Sequence, residues 1–301
     1  MTLGVHLTDA KYERLLLCHF RPHKLYWDSM KKTVFIVLSV LISLSGVIFI
    51  FSRLSSALWA DVFQTPSDLP ANLDAEVTPE KLSVSPPIPI LMYHHITEYT
   101  NDGNPSIYVS PQHFEEQLQW LSDHGFQTVG LDSFRHPTPT TGKPFVLTFD
   151  DGYQDAYTQA FPVLKKYGFQ ATFYIVTNDM DKSGFLSENE MLEMKAAGMN
   201  FGSHSLSHPD LTGVFQRQAE EEIYGSKKAL ERELGTPVTD FCYPGGTNDR
   251  NIENIIANSG YETATTTVDK VVSGPTDPFR LNRLNIGDAT NFDTLPALTS
   301  L

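Results

Sequence analysis

Cysteine is scarce in this chain: 301 residues contain two, Cys18 and Cys242. A scaffold stapled by disulfides is therefore excluded. Basic residues are also short. There are 22 Lys and Arg against 36 Asp and Glu, a formal net charge of −14. That balance argues against a nucleic-acid binder, which needs cationic cover for phosphates. No internal repeat, no long low-complexity tract and no glycine-rich nucleotide-binding motif is present, so no organic cofactor is expected. Glycine is unexceptional, which excludes a collagen-like chain. What remains is ordinary globular composition, 41% apolar and 19% charged, with length enough for one large domain or two small ones.

The charge is unevenly spread. Residues 1–53 hold Lys11, Arg14, Arg21, Lys24, Lys31, Lys32 and Arg53 against Asp9, Glu13 and Asp28, so the acidic excess lies in the remainder. Within that basic stretch, Thr33–Phe51 is a 19-residue run without a charge. At about 1.5 Å per residue it spans roughly 28 Å, close to a bilayer's hydrocarbon core. Most of the cations precede it, which keeps the N-terminus cytoplasmic and exports the chain beyond the run. The expected organisation is a cytoplasmic segment 1–32, a transmembrane signal-anchor 33–51, a linker 52–87 and a catalytic domain 88–301, held at the cell membrane and facing outward. A second expectation is carried beside it. Met30-Lys31-Lys32 has the form of a signal-peptide start and Ser55-Ser56-Ala57 that of a cleavage site. Met30 would then be the true start and the domain would be secreted. In the anchored topology Cys18 and Cys242 lie on opposite sides of the membrane and cannot pair.

From Ile88 the texture alternates between strand-like and helix-like segments. Strands are predicted at Ile88–Tyr93, Phe145–Phe149, Ala171–Val176, Asn200–Ser203, Val238–Tyr243 and Tyr261–Thr266. Helices are predicted after Ser110-Pro111, over Asp155–Tyr167 with Pro162 as a break or offset, and over Glu188–Ala197, Glu220–Leu234 and Asp249–Ser259. This βαβα rhythm implies an α/β fold with a parallel sheet, and a count of seven or eight strands favours closure into a barrel.

Four segments can carry chemistry. Thr148-Phe149-Asp150-Asp151-Gly152 comes directly after a strand, where α/β folds assemble their sites. Adjacent carboxylates repel unless a cation or a shared proton relieves them, although an Asp before Gly also suits a plain turn. His204-Ser205-Leu206-Ser207-His208 spaces two imidazoles i, i+4, which converge on one metal if the segment is helical. Tyr243-Pro244-Gly245-Gly246 reads as a strand-to-turn boundary whose backbone N–H groups are open to approach. Tyr93-His94-His95 ends the first strand and is as readily a polar barrel rim as a catalytic group.

Together TFDDG and HSLSH, in this order, resemble the polysaccharide deacetylase family, the NodB-homology domain of carbohydrate esterase family four. The likeness runs from about Ile88 to Ile286. It implies a distorted (β/α) barrel, often seven-stranded, behind the N-terminal transmembrane helix. It implies Asp151, His204 and His208 as ligands of a divalent metal, zinc first, with cobalt, nickel and manganese also accommodated. It implies Asp150 as general base and a backbone N–H in the stretch Tyr243, Pro244, Gly245 as oxyanion donor. Two family features are missing. Cys242 stands where many members have the arginine that orients the base, and no histidine comes after His208, so Leu281–Ile286 lacks the usual late general acid. Both departures resemble the branch of exported poly-β-1,6-N-acetylglucosamine deacetylases, in which an early Tyr-His supplies the acid. His94 matches that position, and His95 points elsewhere if the strand continues. The implied function is hydrolytic N-deacetylation of an extracellular N-acetylglucosamine polymer, with polysaccharide synthase or export machinery as partner. Peptidoglycan or chitin-oligomer deacetylation and a non-catalytic carbohydrate-binding role are the alternatives.

Overall fold

A computed structural model describes residues 69–299 apart from 101, 102 and 138. Cys18, the segment 1–32, the alternative start at Met30, the span Thr33–Phe51 and the first part of the linker lie outside the described residues. Among the described residues no helix is long and apolar enough to cross a membrane.

Seven short runs, most of them rich in β-branched and aromatic residues, form parallel strands: β1 (Ile90–Tyr93), β2 (Lys143–Phe149), β3 (Thr172–Ile175), β4 (Asn200–Ser203), β5 (Asp240–Cys242), β6 (Thr263–Asp269) and β7 (Leu281–Asn285). Each pairs with its neighbour in sequence, and β7 returns to β1 through Leu284 and Leu91, so the ring closes. It is distorted at β2, which changes partner along its length. Its first residues, Lys143–Phe145, pair with a short strand Phe126–Thr128, and Val146–Phe149 pair with β1. A register shift between Thr265 and Asp269 adds a second irregularity against β7.

Strand alternation sorts the side chains. Phe145, Leu147 and Phe149 of β2 join the layer beneath the helices, with Phe114, Leu118, Phe161 and Ile223. Val146 packs instead with Ile90, Tyr174, Cys242 and Leu281 in a separate cluster, the barrel interior. Thr148 and Asp150 share the face of Val146, and Arg283 shares that of Leu281. The outer helices are α1 (Pro111–Asp123), α2 (Phe161–Tyr167), α3 (Glu188–Ala196), α4 (Gln216–Leu234) and α5 (Arg250–Asn258). Their starts arise from local chemistry. Ser110 accepts from His113 N–H ahead of Pro111, and Asp249 accepts from Ile252 N–H at 2.9 Å. Losing such a cap costs about 1 kcal/mol. Ile252, Ile255 and Ile256 then bury one stripe of α5.

Several expectations differ from the structure. β7 is not among the predicted strands, because its sequence LNRLN alternates weakly and places an arginine in the barrel. Asp155–Tyr167 is not one helix: a π-helical turn, Ala156–Ala160, precedes α2, with Pro162 in its first turn, where a missing N–H is harmless. α4 begins at Gln216, four residues early. The stretch read as linker up to residue 87 belongs in its latter part to the folded unit. Leu73 is buried, Asn258 donates to the carbonyls of Leu73 and Ala75, and Leu82–Ile88 pairs antiparallel with Val272–Thr276. Val84 and Val272 join the interior cluster and close the end where the strands begin.

Candidate active site

The open end of the barrel, where the strands finish, gathers the expected residues. Asp150 ends the inward row of β2 and is 3% exposed. Asp151 comes next with φ of 70°, in the left-handed region, and Gly152 with φ of 78°. This reversal turns the second carboxylate away from the first. The two adjacent acids thereby face different partners, which relieves the repulsion inherent in their spacing.

Asp150 faces Arg283. Nη1 donates to Oδ1 and Nη2 to Oδ2, each at 2.7 Å, and Arg283 is fully buried. Its other donors reach Thr148 Oγ1 at 3.1 Å, Thr266 O at 2.9 Å and Cys242 Sγ at 3.0 Å. Burial pushes the Asp150 carboxyl up. The charge and hydrogen bonds of Arg283, with His94 and His204 adding, outweigh it and hold the carboxyl well below the usual range. Burial likewise pulls Arg283 down, and the Asp150 charge more than restores it. Both groups are ionised, a bidentate pair of the strong kind. Arg283 is the site residue the motif reading misses. The arginine absent from the Cys242 position is replaced by one from another strand.

Asp151 faces the two histidines. Its Oδ1 lies 3.5 Å from His204 Nε2 and 3.6 Å from His208 Nε2. The donors of the three residues lie within 4.8 Å of one another. The intervening segment is not helical, contrary to the condition set by i, i+4 spacing. It is a loop in which Ser205 and His208 take positive φ, 68° and 59°. His204 Nδ1 is held by the Cys242 carbonyl at 2.8 Å, leaving Nε2 for the site. Burial, then the neighbouring His204, lowers the His208 pKa, which favours the neutral imidazole that a metal requires. An aspartate and two imidazoles are a donor set that suits zinc and leaves positions open. A second group, Asp150, His204 and Cys242, also has donors within reach of one another. There the cation is already present in the form of Arg283, which touches both Asp150 and Cys242, so the first group is the one that fits a metal.

His94 Nε2 lies 3.7 Å from Asp150 Oδ2, and its Nδ1 is buried with no partner among the described residues. Burial lowers its pKa against the opposing pull of Asp150 and Asp151. His95 points away, as alternation requires. Its Nδ1 meets Asp155 Oδ2 at 2.8 Å, and its ring is stacked between Tyr153 at 3.6 Å and Tyr108 at 4.5 Å.

The loop after β5 supplies Tyr243, Pro244 and Gly245. Tyr243 is buried, with its hydroxyl donating to Phe279 O at 2.8 Å and its N–H to Thr265 O at 3.2 Å. Pro244 has no N–H, so Gly245 is the remaining donor of the three. Gly246 must be glycine: a Cβ there would fall 2.0 Å from Thr267 Oγ1, at φ of 78°.

Comparison with known proteins matches this chain to a family. YxkH of Bacillus subtilis (strain 168), which is named for that family, is 32% identical over 203 residues, 66% of this chain and 71% of YxkH. The chain belongs to the polysaccharide deacetylase family. The family's sequence model, described as polysaccharide deacetylase, matches residues 137–264 of the deacetylase. Its solved relatives include the Streptococcus pyogenes deacetylase PplD in complex with acetate, with 31% identity and a TM-score of 0.63 over 70% of this chain and 95% of that one. A poly-beta-1,6-N-acetyl-D-glucosamine N-deacetylase of Staphylococcus epidermidis is 28% identical over 205 residues, 62% of this chain and 70% of its own. The deacetylase is thus an amide hydrolase acting on a polysaccharide, on a closed seven-stranded barrel.

Proposed function

We propose that this deacetylase removes acetyl groups from an extracellular N-acetylglucosamine polymer, with poly-β-1,6-N-acetylglucosamine as its preferred substrate. One observation carries the chemistry: two adjacent carboxylates, of which Asp150 faces a buried cation and Asp151 faces two imidazoles. The early histidine and the likeness to the staphylococcal enzyme support the substrate. The paired Arg283 and Asp150 speak for catalysis over a binding-only role.

A divalent ion, zinc first, would be held by Asp151, His204 and His208 and would supply Lewis acidity toward water and the acetyl carbonyl. Asp150, kept ionised by Arg283, accepts a proton from the attacking water. The Gly245 N–H, on an exposed turn, is suited to the developing oxyanion. His94 gives a proton to the nitrogen as the C–N bond breaks, since an amine leaves poorly as an anion. Acetate and a free glucosamine unit depart. In this reading Thr33–Phe51 anchors the catalytic domain outside the cell membrane, or releases it if the signal is cleaved, beside the polysaccharide synthase or export machinery.

The test is acetate release by the full-length protein from poly-β-1,6-N-acetylglucosamine, peptidoglycan and chitin oligomers, with and without chelator. Release from the first substrate that chelator abolishes is expected. Release only from another substrate transfers the assignment to it, and none from any of them at full metal occupancy overturns catalysis.

A further inference from the structure

Glu222 is a buried carboxylate that the chemistry above does not use. It sits on α4, 6% exposed, and forms no ion pair among the described residues. The neighbouring cations of the helix, Lys227 and Lys228, pair with Glu231 instead. A buried charge must be answered by hydrogen bonds or an opposite charge. Glu222 has two such bonds, both to one residue. Ser207 N–H donates to Oε2 at 2.8 Å and Ser207 Oγ to Oε1 at 2.5 Å.

Ser207 lies between His204 and His208, in the loop with two non-glycine residues at positive φ. Such a backbone persists only where surrounding contacts hold it. Within the loop, Ser205 Oγ accepts from His208 N–H at 2.9 Å and Ser205 N–H donates to Ser203 Oγ at 3.2 Å. Ser203 Oγ in turn meets Ser226 Oγ at 2.7 Å. Glu222 and Ser226 are four residues apart and share one face of α4. One helix face therefore supports the loop at both ends of the span between the imidazoles.

We propose that Glu222 is a positioning residue for the metal loop: its two-point grip on Ser207 sets the separation of His204 and His208. The proposal rests on the reading that Asp151, His204 and His208 hold a divalent ion. It assigns to Glu222 an effect on metal affinity itself, ahead of any effect on turnover. Partners that orient metal ligands commonly contribute about 10- to 100-fold in affinity.

The experiment titrates zinc alone into the chelator-stripped full-length protein against a competing chromophoric chelator, with circular dichroism to confirm that each variant is folded. Glu222→Ala is expected to weaken zinc binding by about 10- to 100-fold. Glu222→Gln should recover most of the loss, since its amide oxygen can accept from the Ser207 N–H while its amide NH2 donates to Ser207 Oγ. Unchanged affinity in Glu222→Ala overturns the proposal, and so does an equal loss in Ala and Gln, which would assign the effect to charge rather than placement. If Glu222→Ala does not fold, Ser207→Ala takes its place: weaker binding supports the proposal and unchanged binding overturns it. His208→Ala separates the two levels of the argument. If the wild-type protein binds no zinc, or His208→Ala binds as well as the wild type, the metal reading itself falls and the proposal with it.

Discussion

Arg283 and Asp150 stand 133 residues apart in sequence and meet in a two-point ion pair inside the barrel. Their meeting depends on ring closure, which places the inner face of β7 beside that of β2 through β1. The pair keeps a carboxylate ionised in a place where burial alone would neutralise it. Breaking a buried pair on one side leaves the other charge uncompensated and costs about 3–5 kcal/mol. Arg283→Met is therefore expected to lose that much stability in denaturant titration. Asp150→Asn in the same chain should restore part of it, and additive losses in this double-mutant cycle would contradict the coupling.

Stability should fall in two stages as the metal-free protein is acidified. The pKa of His94 is lower in the folded protein than its unfolded value near 6.5. Its contribution is complete above about pH 6.5 and is lost as pH falls through the folded value, with His208 acting in the same direction. The Asp150 pKa is also depressed, from about 3.9 unfolded. Its contribution is complete above about pH 4 and disappears below that. Thermal melts between pH 8 and pH 3 should show a smaller upper stage in His94→Asn and no lower stage from Asp150 in Arg283→Met.

The adjacent histidines should separate cleanly. His94→Ala removes the proposed acid and is expected to lower kcat by about two to four orders of magnitude while zinc affinity holds. His95→Phe keeps a ring between Tyr108 and Tyr153 but cannot pair with Asp155. It should retain far more activity than His94→Ala. Near-normal turnover by His94→Ala would remove it from the acid role.

Asp150 and Asp151 should differ in the same way. Asp150→Asn is expected to abolish acetate release with zinc still bound, and Asp151→Asn to weaken zinc binding itself. Equilibrium dialysis with metal analysis of the retained protein tells these outcomes apart.

Much of this site is legible along the chain. The acid pair at a strand end, the two spaced histidines and the Tyr-His at the first strand are local patterns, and the structure brings all of them to one rim. Asn200–Ser203 is predicted with its true ends, because a short segment between two helical patterns has few other solutions. Arg283 is not legible. A single arginine in LNRLN carries no local sign of burial, and its partner is identified only once seven strands have closed. The same limit applies to the path between His204 and His208. Their spacing suggests a helical turn, but the imidazoles converge through a loop with two left-handed residues, Ser205 and His208, which α4 holds at Ser207. The N–H of Tyr243 likewise reads as open along the sequence, whereas β6 claims it through Thr265 O.

The strand Leu82–Ile88 brings the polypeptide in at the sealed end of the barrel, where it pairs with Val272–Thr276. That strand thus stays clear of the rim that bears the carboxylates and histidines. Under the proposed function, a polymer lying across that rim would not cross this strand.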